Sequence, residues 1–297
     1  MKNILIIGAN GFTGRRILND LSVNPIYHVT GCSLRDDICP GKDYRFVRTD
    51  IRDENEVRKL FKECRPDIVI NTSALSVPDY CETHHAEAEA TNVTAVETIA
   101  HVCEQYGSRF IHLSTDFVFD GKSTRLYKEE DEAIPVNYYG VTKLKAEKII
   151  ASICSNYAIV RVVVVYGKAL PGQHGNILQL VANRLRNGET IRVVSDQWRT
   201  PTYVGDVSDG VLRLIEHTAN GIFHICGDEC MTIAEIAYQV ADYMKLDRSL
   251  IHPTTTEEMN ESTPRPRFSG MSIDKARTML GYRPQKLKEI LANWDKL

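Results

Sequence analysis

The strongest chemical pattern in the chain is a tyrosine followed four residues later by a lysine, Tyr139 and Lys143. On a helix, residues four apart lie on the same face, so the phenol and the ammonium would be neighbours. A phenol titrates near pH 10, and its pKa must fall by about three units, roughly 4 kcal/mol, before it exchanges protons near neutrality. The pair therefore predicts a proton donor and acceptor, with Lys143 stabilising the tyrosinate.

A hydroxyl that could orient a substrate oxygen ends the strand expected before this helix. The strand predicted over 109–114 runs directly into Thr115. The carboxyl ends of parallel strands form the ligand-binding edge of an open sheet, which places Thr115 within reach of a substrate oxygen. We therefore predict Thr115, Tyr139 and Lys143 as the catalytic group. The alternative is a surface tyrosine and a solvated lysine on an amphipathic helix.

The chain opens on a pattern of strand, glycine-rich turn and helix. The apolar run 4–7 stops at Gly8, and helical spacing of apolar residues follows. Gly8 permits a sharp turn, Gly11 leaves room for a pyrophosphate, and Gly14 lets the helix approach the strand. The helix N-terminus would offer unpaired amides to phosphates. The spacing differs from the commoner Gly-x-Gly-x-x-Gly, yet its context predicts nucleotide binding; the alternative is an ordinary strand-to-helix turn.

The end of the second predicted strand, 28–33, would face the adenosine ribose. A chain that binds NAD usually places Asp or Glu there. Here Ser33 and Leu34 are followed by Arg35, so a 2′-phosphate would meet a cation. The sequence favours NADP(H), with NAD the weaker alternative, unless Arg35 is only a solvated loop residue.

Strands and helices alternate through the first half of the chain. A long helix is expected over 88–106 and a sixth strand over 157–165. This alternation specifies an α/β fold, a Rossmann-type doubly wound parallel sheet.

The pattern becomes less regular after the sixth strand, which indicates a second, smaller domain. We expect 1–166 to form the dinucleotide-binding Rossmann domain, with 205–227 returning to it. The segments 167–204 and 228–297 would form a discontinuous C-terminal substrate-binding domain.

Composition restricts the classes of function. The 297 residues are 43% hydrophobic and carry a formal net charge of −3, so the chain can bury a core and lacks the basic excess of a nucleic-acid-binding protein. No leader pattern precedes the first strand, and no apolar run reaches the length of a membrane span. The sequence predicts a cytoplasmic protein with no nucleic-acid or membrane partner; a homodimer is left open.

The eight cysteines are scattered and contain no Cys-x-x-Cys pair. In a cytoplasmic chain they are expected to be reduced and buried. Cys81, His84 and His85 are close in sequence, but no second cluster supplies further ligands, so no metal site is predicted.

Taken together, these motifs resemble those of the extended short-chain dehydrogenases/reductases, and more closely those of the dTDP-4-dehydrorhamnose reductase family. The shared segments span nearly the whole chain; they include Gly8-x-x-Gly11-x-x-Gly14, Thr91-Asn92-Val93, Ser114-Thr115-Asp116-Phe117-Val118-Phe119-Asp120-Gly121, Tyr139-Gly140-x-Thr142-Lys143-Leu144 and Pro201-Thr202-Tyr203. The resemblance implies hydride transfer from NADPH to the C4 ketone of a nucleotide-linked 4-keto-6-deoxy sugar. Tyr139 would give the proton, Thr115 would polarise the carbonyl, and Lys143 would also hold the nicotinamide ribose.

Motifs and resemblance together give a set of cofactor and substrate residues. The predicted cofactor-binding residues are Gly8, Asn10, Gly11, Phe12, Gly14, Ser33, Arg35, Asp50, Ile51, Asn71, Thr72, Ser73, Ala74, Asn92, Tyr139 and Lys143. The predicted substrate residues are Asp116, Asn176, Trp198 and Arg199. Arg199 is a candidate for the substrate phosphates, whereas the alternative is an exposed Arg and a core Trp.

Two departures from the family pattern bear on the substrate and the reaction. Val164 stands where the family commonly has a Trp that can cover the sugar ring. Phe117 stands where related dehydratases have a Glu that acts in the elimination of water, so reduction is favoured over dehydration.

A role from a different class is the main alternative. The tip 31–35 also resembles that of the regulatory beta subunit of methionine adenosyltransferase, a relative with the same fold. That alternative predicts dinucleotide binding, no sugar turnover and a stable protein partner.

Overall fold

A computed structural model describes residues 1–40, 43–173 and 175–294 of the chain. The strands are β1 (Lys2–Ile7), β2 (Tyr27–Ser33), β3 (Arg45–Arg48), β4 (Ile68–Asn71), β5 (Arg109–Thr115), β6 (Tyr157–Val162), β7 (Val165–Tyr166), β8 (Ile191–Val194), β9 (Trp198–Arg199), β10 (Thr202–Tyr203), β11 (Gly221–His224), β12 (Met231–Thr232) and β13 (Ile251–Thr254).

The helices complete the alternation expected from the sequence. They are α1 (Phe12–Ser22), α2 (Glu54–Cys64), α3 (Pro78–Thr83), α4 (His85–Glu89), α5 (Ala95–Tyr106), α6 (Tyr138–Ile153), α7 (Ile177–Arg186), α8 (Val204–Glu216), α9 (Ile233–Met244), α10 (Thr256–Met259), α11 (Asp274–Leu280) and α12 (Leu287–Ala292). A π-helical turn, Ala90–Thr94, joins α4 to α5, and short 3-10 turns span Asp116–Val118 and Arg248–Leu250.

Seven strands form one parallel sheet in the order β11-β6-β5-β4-β1-β2-β3. Helices cover both faces, so the central strands are apolar on both sides; Ile4, Leu5, Ile6 and Ile7 of β1 are all buried. Burying each such side chain stabilises the fold by about 1.5–3 kcal/mol. The predicted Rossmann-type parallel sheet is confirmed.

The chain leaves this sheet after β6 and re-enters it at β11. Between and after these strands, β7 to β10, β12 and β13 pair into two-stranded sheets outside the main one. A separate core made by α7, α9 and α12 lies beneath them. The predicted domain boundaries stay a prediction, and residues 295–297 of the last predicted segment lie outside the described residues.

Two predicted elements are interrupted in the structure. The helix expected over 88–106 contains the π-helical turn Ala90–Thr94. The strand expected over 157–165 ends at Val162, because Val164 has a φ of +38°, which a strand cannot accommodate. Both interruptions adjoin the cleft described below.

Candidate functional site

A cleft of about 1150 Å³ opens at the carboxyl edge of the main sheet. The turn after β1, the ends of β4 and β5 and the first two turns of α6 form one side of it. The other side is formed by β8 and the loops around α7 and α10. This is the edge at which open parallel sheets bind ligands.

The glycine turn holds α1 against the end of β1. A Cβ at Gly14 would lie 2.3 Å from the carbonyl oxygen of Gly8, so no larger residue fits there without moving the backbone. Gly11 is the N-cap of α1 and supplies no side-chain hydrogen bond to the first turn. The amides that open the helix are therefore left to a ligand, and the dipole favours an anion there.

The catalytic residues predicted from the sequence come together in this cleft. Thr115 ends β5, Tyr139 lies in the first turn of α6, and Lys143 lies one turn later; all three line the cleft. Asn137 caps α6 by accepting a hydrogen bond from the amide of Gly140 at 2.9 Å, which fixes where the helix begins.

Lys143 is buried, with 1% of its surface exposed. Its Nζ lies 2.9 Å from Nε2 of His112 and donates a 2.6 Å hydrogen bond to the carbonyl oxygen of Leu113. Burial lowers the pKa of Lys143 to about 8, and the nearby carboxylate of Glu147 opposes that shift.

The pKa of the Tyr139 phenol is raised in the structure, whereas the sequence argument predicts that it is lowered. Burial raises the pKa of Tyr139, a hydrogen bond with Thr115 lowers it by less, and the carboxylate of Asp116 raises it further. The ammonium of Lys143 was expected to lower this pKa. Its Nζ is instead engaged behind the site, by His112 and Leu113.

Asp116 and Arg199 form a buried pair beside Thr115, with Arg199 Nε 3.7 Å from Asp116 Oδ2. The guanidinium also donates hydrogen bonds of 2.8 Å to the carbonyl oxygens of Trp198 and Pro266. Burial raises the pKa of the Asp116 carboxyl, and the charge of Arg199 opposes that shift. Arg199 lines the cleft, but its donors hold neighbouring backbone, so a phosphate would have to compete with those carbonyls.

Most of the predicted site residues line the cleft. These are Gly8, Asn10, Gly11, Phe12, Gly14, Ser33, Asp50, Ile51, Thr72, Ser73, Ala74, Thr115, Asp116, Tyr139, Lys143, Asn176 and Arg199.

Four predicted residues lie elsewhere. Asn92 is buried and fixes the loop after β4 by bonding both the amide (2.8 Å) and the carbonyl oxygen (3.0 Å) of Leu75. Asn71 is buried beneath the site, whereas Trp198 and Arg35 are exposed at the surface outside the cleft wall. The two asparagines thus position residues of the cleft without lining it.

Sequence reasoning missed two residues of the site. Arg192 on β8 lines the cleft and donates to Thr254 Oγ1 at 3.0 Å. His112, which lies beneath the floor of the cleft, was also missed, although a polar residue between Ile111 and Leu113 in the middle of a buried strand could have indicated it.

Arg265 was not missed, because the sequence Arg265-Pro266-Arg267 predicts either two cations for a pyrophosphate or a solvated loop. Arg265 lines the cleft and is held by Asp79 and Glu261, whereas Arg267 does not line it.

Residues 1–295 match the family described as "RmlD substrate binding domain". The chain belongs to this family. The prediction of an extended short-chain dehydrogenase/reductase resembling dTDP-4-dehydrorhamnose reductases is thereby confirmed.

Relatives within the family carry two kinds of name. The chain is 30% identical over 290 residues to the probable low-salt glycan biosynthesis reductase of Haloferax volcanii, covering 97% of this chain and 95% of that one. It is 33% identical over 288 residues to the methionine adenosyltransferase 2 subunit beta of Xenopus laevis, covering 95% and 84%. The proteins similar to this chain thus include both a probable reductase and a subunit named for another enzyme.

Solved structures agree in fold along the whole chain. The dTDP-4-dehydrorhamnose reductase of Bacillus anthracis, in complex with NADP, superposes with a TM-score of 0.89 at 26% identity and covers 100% of this chain and 99% of that one. The orthologue from Clostridium acetobutylicum gives 0.88 at 29% identity, covering 99% and 98%. These likenesses support a sugar-nucleotide oxidoreductase.

Two further properties concern only the part of the chain that the structure describes. No helix there combines the length and the apolar character needed to cross a membrane. No three His, Cys, Asp or Glu side chains there are grouped as ligands for a metal ion.

Proposed function

We propose that the protein reduces the C4 ketone of a nucleotide-linked 4-keto-6-deoxy sugar with NADPH, in the cytoplasm. The observation that carries this proposal is that Thr115, Tyr139 and Lys143 line the same cleft as the glycine turn. A hydroxyl, a phenol and a lysine beside a dinucleotide site are the groups that carbonyl reduction requires.

The turn between β1 and α1 fits a dinucleotide pyrophosphate. Its uncapped helix N-terminus supplies amide donors, and Gly14 allows the close contact of helix and strand. Ser33, Asp50 and Ile51 line the adjoining part of the cleft and would contact the adenosine half. When bound, the nicotinamide supplies the hydride.

We infer a preference for NADP(H) from the charges after β2. Asp37, a carboxylate near that tip, is paired with the buried guanidinium of Arg15 at 2.5 Å. Asn10 holds the same loop through the carbonyl oxygen of Asp36 at 2.8 Å. Arg35 is exposed and makes no ion pair within the described residues, so its charge is available to a 2′-phosphate.

The cofactor preference is tested by Arg35→Ala. Loss of one charge-assisted contact, worth about 1.5–3 kcal/mol, should weaken NADPH binding roughly tenfold or more and leave NADH binding unchanged. Titration of each cofactor by fluorescence measures this. An equal change for both cofactors would contradict the preference.

In the reaction that we propose, Tyr139 donates its phenolic proton to the ketone oxygen as the carbon accepts a hydride. Thr115 hydrogen-bonds the same oxygen and orients it, and Lys143 holds the nicotinamide ribose. The raised pKa of Tyr139 keeps the phenol protonated at neutral pH, which is the state that a proton donor needs.

We place the sugar nucleotide against β8 and the loops that face it. Asn176 and Arg192 line that wall, and Arg265 lies opposite, so the wall offers an amide and two guanidinium groups to a diphosphate. This placement rests on the proposed division of the chain into a Rossmann domain and a smaller substrate domain.

The deciding experiment measures NADPH oxidation, through the near-ultraviolet absorbance of the reduced cofactor, across a panel of 4-keto-6-deoxy sugar nucleotides. We expect turnover with at least one member and a ranking among the others. A protein that binds NADPH but turns over no member would contradict the proposal.

A second function has one specific observation in its favour. The identity of 33% to the methionine adenosyltransferase 2 subunit beta of Xenopus laevis is slightly above the 30% to the probable reductase of Haloferax volcanii. A regulatory subunit would bind the dinucleotide, leave sugars unchanged and copurify with a protein partner. Affinity purification from the source cells, beside the turnover panel, distinguishes the two functions.

A further inference from the structure

The loop that carries Arg265 is attached to the start of α6 through Asn137. Asn137 is the N-cap of α6, and 4% of its surface is exposed. Its Oδ1 accepts a hydrogen bond from the amide of Gly140 at 2.9 Å, and its Nδ2 donates one to the carbonyl oxygen of Pro264, also at 2.9 Å. One side chain thus joins two segments that are 127 residues apart in sequence.

The two contacts of Asn137 require both an acceptor and a donor. A backbone N–H only donates, so the amide oxygen of Asn137 must face Gly140. A carbonyl oxygen only accepts, so the NH₂ group must face Pro264. An aspartate here would keep the first contact and lose the second. Capping of α6 therefore does not by itself account for an asparagine at this position.

The backbone on both sides of Arg265 is fixed. Arg265 stands between Pro264 and Pro266, and a residue before a proline is restricted to extended backbone. The carbonyl oxygen of Pro264 is held by Asn137, and that of Pro266 accepts from Nη2 of Arg199 at 2.8 Å. Arg199 is also buried, with 2% of its surface exposed. Two buried polar side chains thus determine where the side chain of Arg265 begins.

The ion pairs of Arg265 set the direction of its side chain but hold the loop only weakly. The guanidinium is paired with Asp79 of α3 at 3.1 Å and with Glu261. The side chain of Asp79 is 46% exposed, and ion pairs that reach solvent contribute little to stability. Asn137 is almost completely buried, so its hydrogen bond is the firmer attachment of the loop to this side of the cleft.

Asn137 also precedes Tyr139 by two residues in the chain. The same side chain therefore fixes both the start of the helix that carries Tyr139 and the loop that carries Arg265. Asn137 does not itself line the cleft. We propose that Asn137 is a positioning residue that fixes the separation between Arg265 and Tyr139.

The consequence for the substrate rests on the proposed function, in which Arg265 binds the diphosphate and Tyr139 protonates the ketone. In a sugar nucleotide of that class the diphosphate is on C1 and the ketone is on C4, across one ring. The ring cannot change its length, so the protein must hold Arg265 and Tyr139 at the separation that the ring sets. The contact between Asn137 and Pro264 thus favours a substrate with one hexose ring between its diphosphate and its ketone.

The substitution Asn137→Asp separates the two contacts. The carboxylate keeps the cap of α6 and places an oxygen against the carbonyl of Pro264, so the loop should loosen while the helix start is retained. We expect KM for the sugar nucleotide to rise about five- to tenfold, with kcat and the Kd of NADPH largely retained. An unchanged KM would overturn the proposal.

The substitution Asn137→Ala removes the cap as well as the contact with the loop. The start of α6 then keeps the contact in which Glu82 accepts from the amide of Tyr138 at 2.9 Å. We expect the rise in KM of the Asp variant together with a fall in kcat, because Tyr139 lies in the turn that loses its cap. A variant that lowers kcat alone would limit Asn137 to capping and overturn the proposal.

The matched control is Asn24→Asp. Asn24 Oδ1 also accepts from a backbone amide, that of Ile26 at 3.1 Å, and its side chain donates to no atom of the described residues. Asn24 precedes β2 and so lies at the edge of the sheet opposite the cleft. The same change of amide to carboxylate there should leave KM and kcat unchanged.

A combined substitution tests whether Asn137 acts through Arg265. In the Arg265→Ala protein there is no guanidinium to position, so adding Asn137→Asp should raise KM no further. Independent effects would multiply instead, and a rise equal to the product of the two single changes would overturn the proposal.

Amide hydrogen exchange tests the attachment of the loop without turnover. The amide of Trp198 donates to the carbonyl oxygen of Arg267 at 2.7 Å, and the amide of Phe268 donates to that of Gly121 at 3.2 Å. Mass spectrometry of peptides that contain these amides should show exchange about tenfold faster in Asn137→Asp than in the wild type. A peptide that covers 138–147 should exchange as in the wild type, because the cap is kept.

The exchange result separates this proposal from the proposed function. Unchanged exchange in the loop of a folded Asn137→Asp variant would overturn the role of Asn137. If exchange in the loop rises while the wild type turns over no sugar nucleotide, the proposed function is wrong and the attachment of the Arg265 loop by Asn137 stands.

Discussion

The two ends of the cleft are built in different ways. At the proposed cofactor end the wall is backbone. The amides of Gly8 and Ala9 both donate to the carbonyl oxygen of Cys32, at 2.9 and 3.0 Å, which fixes the turn, and the amides that begin α1 have no side-chain cap. At the proposed substrate end the walls carry long side chains on β8 and on loops, among them Arg265 with its partners Asp79 and Glu261.

This difference separates the properties of the site that any dinucleotide would use from those that would select the sugar. A surface of backbone amides recognises the part that all dinucleotides share, and only a residue with no Cβ permits it. A surface of long side chains can change by single substitutions without altering the sheet. We expect substitutions at the cofactor end to affect every activity of the protein, and those at the substrate end to affect only the choice of sugar.

The largest expected effect lies where the two ends meet. Tyr139→Phe removes the proposed proton donor and keeps the ring, so turnover should fall about 10²–10⁴-fold while NADPH binding is retained. Single-turnover absorbance and a fluorescence titration measure the two quantities separately. Undiminished turnover in this variant would remove Tyr139 from the chemistry.

We expect the substitution Gly14→Ala to disrupt the backbone wall at the proposed cofactor end. The new Cβ would lie 2.3 Å from the carbonyl oxygen of Gly8, which forces α1 away from β1 and costs about 1–3 kcal/mol. Cofactor affinity and the midpoint of thermal unfolding should both fall. The matched control is Gly175→Ala, whose Cβ meets nothing within 4 Å and which should change neither. Equal behaviour of the two variants would show that the close approach does not matter.

We expect the substitution Arg265→Ala to weaken the side-chain wall at the proposed substrate end. Loss of a charge-assisted contact of about 1.5–3 kcal/mol should raise KM for the sugar nucleotide roughly tenfold or more, with the Kd of NADPH unchanged. Arg267→Ala is the control, because Arg267 lies two residues away, is exposed and does not line the cleft. A matching rise in KM for Arg267→Ala would place the effect in loop stability instead.

The smallest expected effect is on the stability of the fold at Asp206, a residue that does not line the cleft. Burial of Asp206, at the start of α8, raises its pKa to about 6, although Gln285 donates to it through both its amide and its side chain. The folded state therefore binds this proton more tightly than the unfolded state, and the resulting stability is present below about pH 4 and lost as pH rises through 6.

Relative to the wild type, Asp206→Asn should thus gain about 1–2 kcal/mol in the free energy of unfolding between pH 4 and 7.5. It also loses one acceptor for Gln285, which lowers stability by a similar amount at every pH. Denaturant titrations at several pH values measure the slope. Parallel curves for the two proteins would show that Asp206 does not titrate differently on folding.

Much of the fold could be predicted because its helix ends and turns are formed by residues that are close together in the sequence. The helix Ile233–Met244 is found where the sequence places it, since Thr232 and Glu235 form the capping box that their spacing predicts. Asp53 caps α2 by accepting hydrogen bonds from the amides of Asn55 and Glu56 in the same way. Two glycines of the turn are equally local, because a Cβ at Gly11 or Gly14 would meet the carbonyl oxygen of Gly8. Gly8 itself depends on distant neighbours, since a Cβ there would meet Thr72 and Ser73.

The residues that sequence reasoning placed incorrectly or missed depend on distant neighbours. Val164 has a left-handed backbone although the sequence around it is typical of a strand, and the pattern of apolar residues does not predict this conformation. The sequence suggests that Arg199 is free to bind a phosphate. In the structure it contacts Asp116 and the carbonyl oxygen of Pro266, which are far from it in sequence. His112 looks like one polar residue in a strand until Asn71 and Lys143 are seen beside it.

The late return of β11 to the main sheet has a consequence for synthesis on the ribosome. β6 stays an edge strand, with Ile159 and Val160 ready to pair with another chain, until residues 221–224 have left the exit tunnel. We expect nascent chains arrested before that point to bind chaperones, and chains arrested well after it to resist proteolysis. Completion of the seven-stranded sheet is therefore coupled to synthesis of the segment 163–220, which contains β7 to β10, α7 and α8.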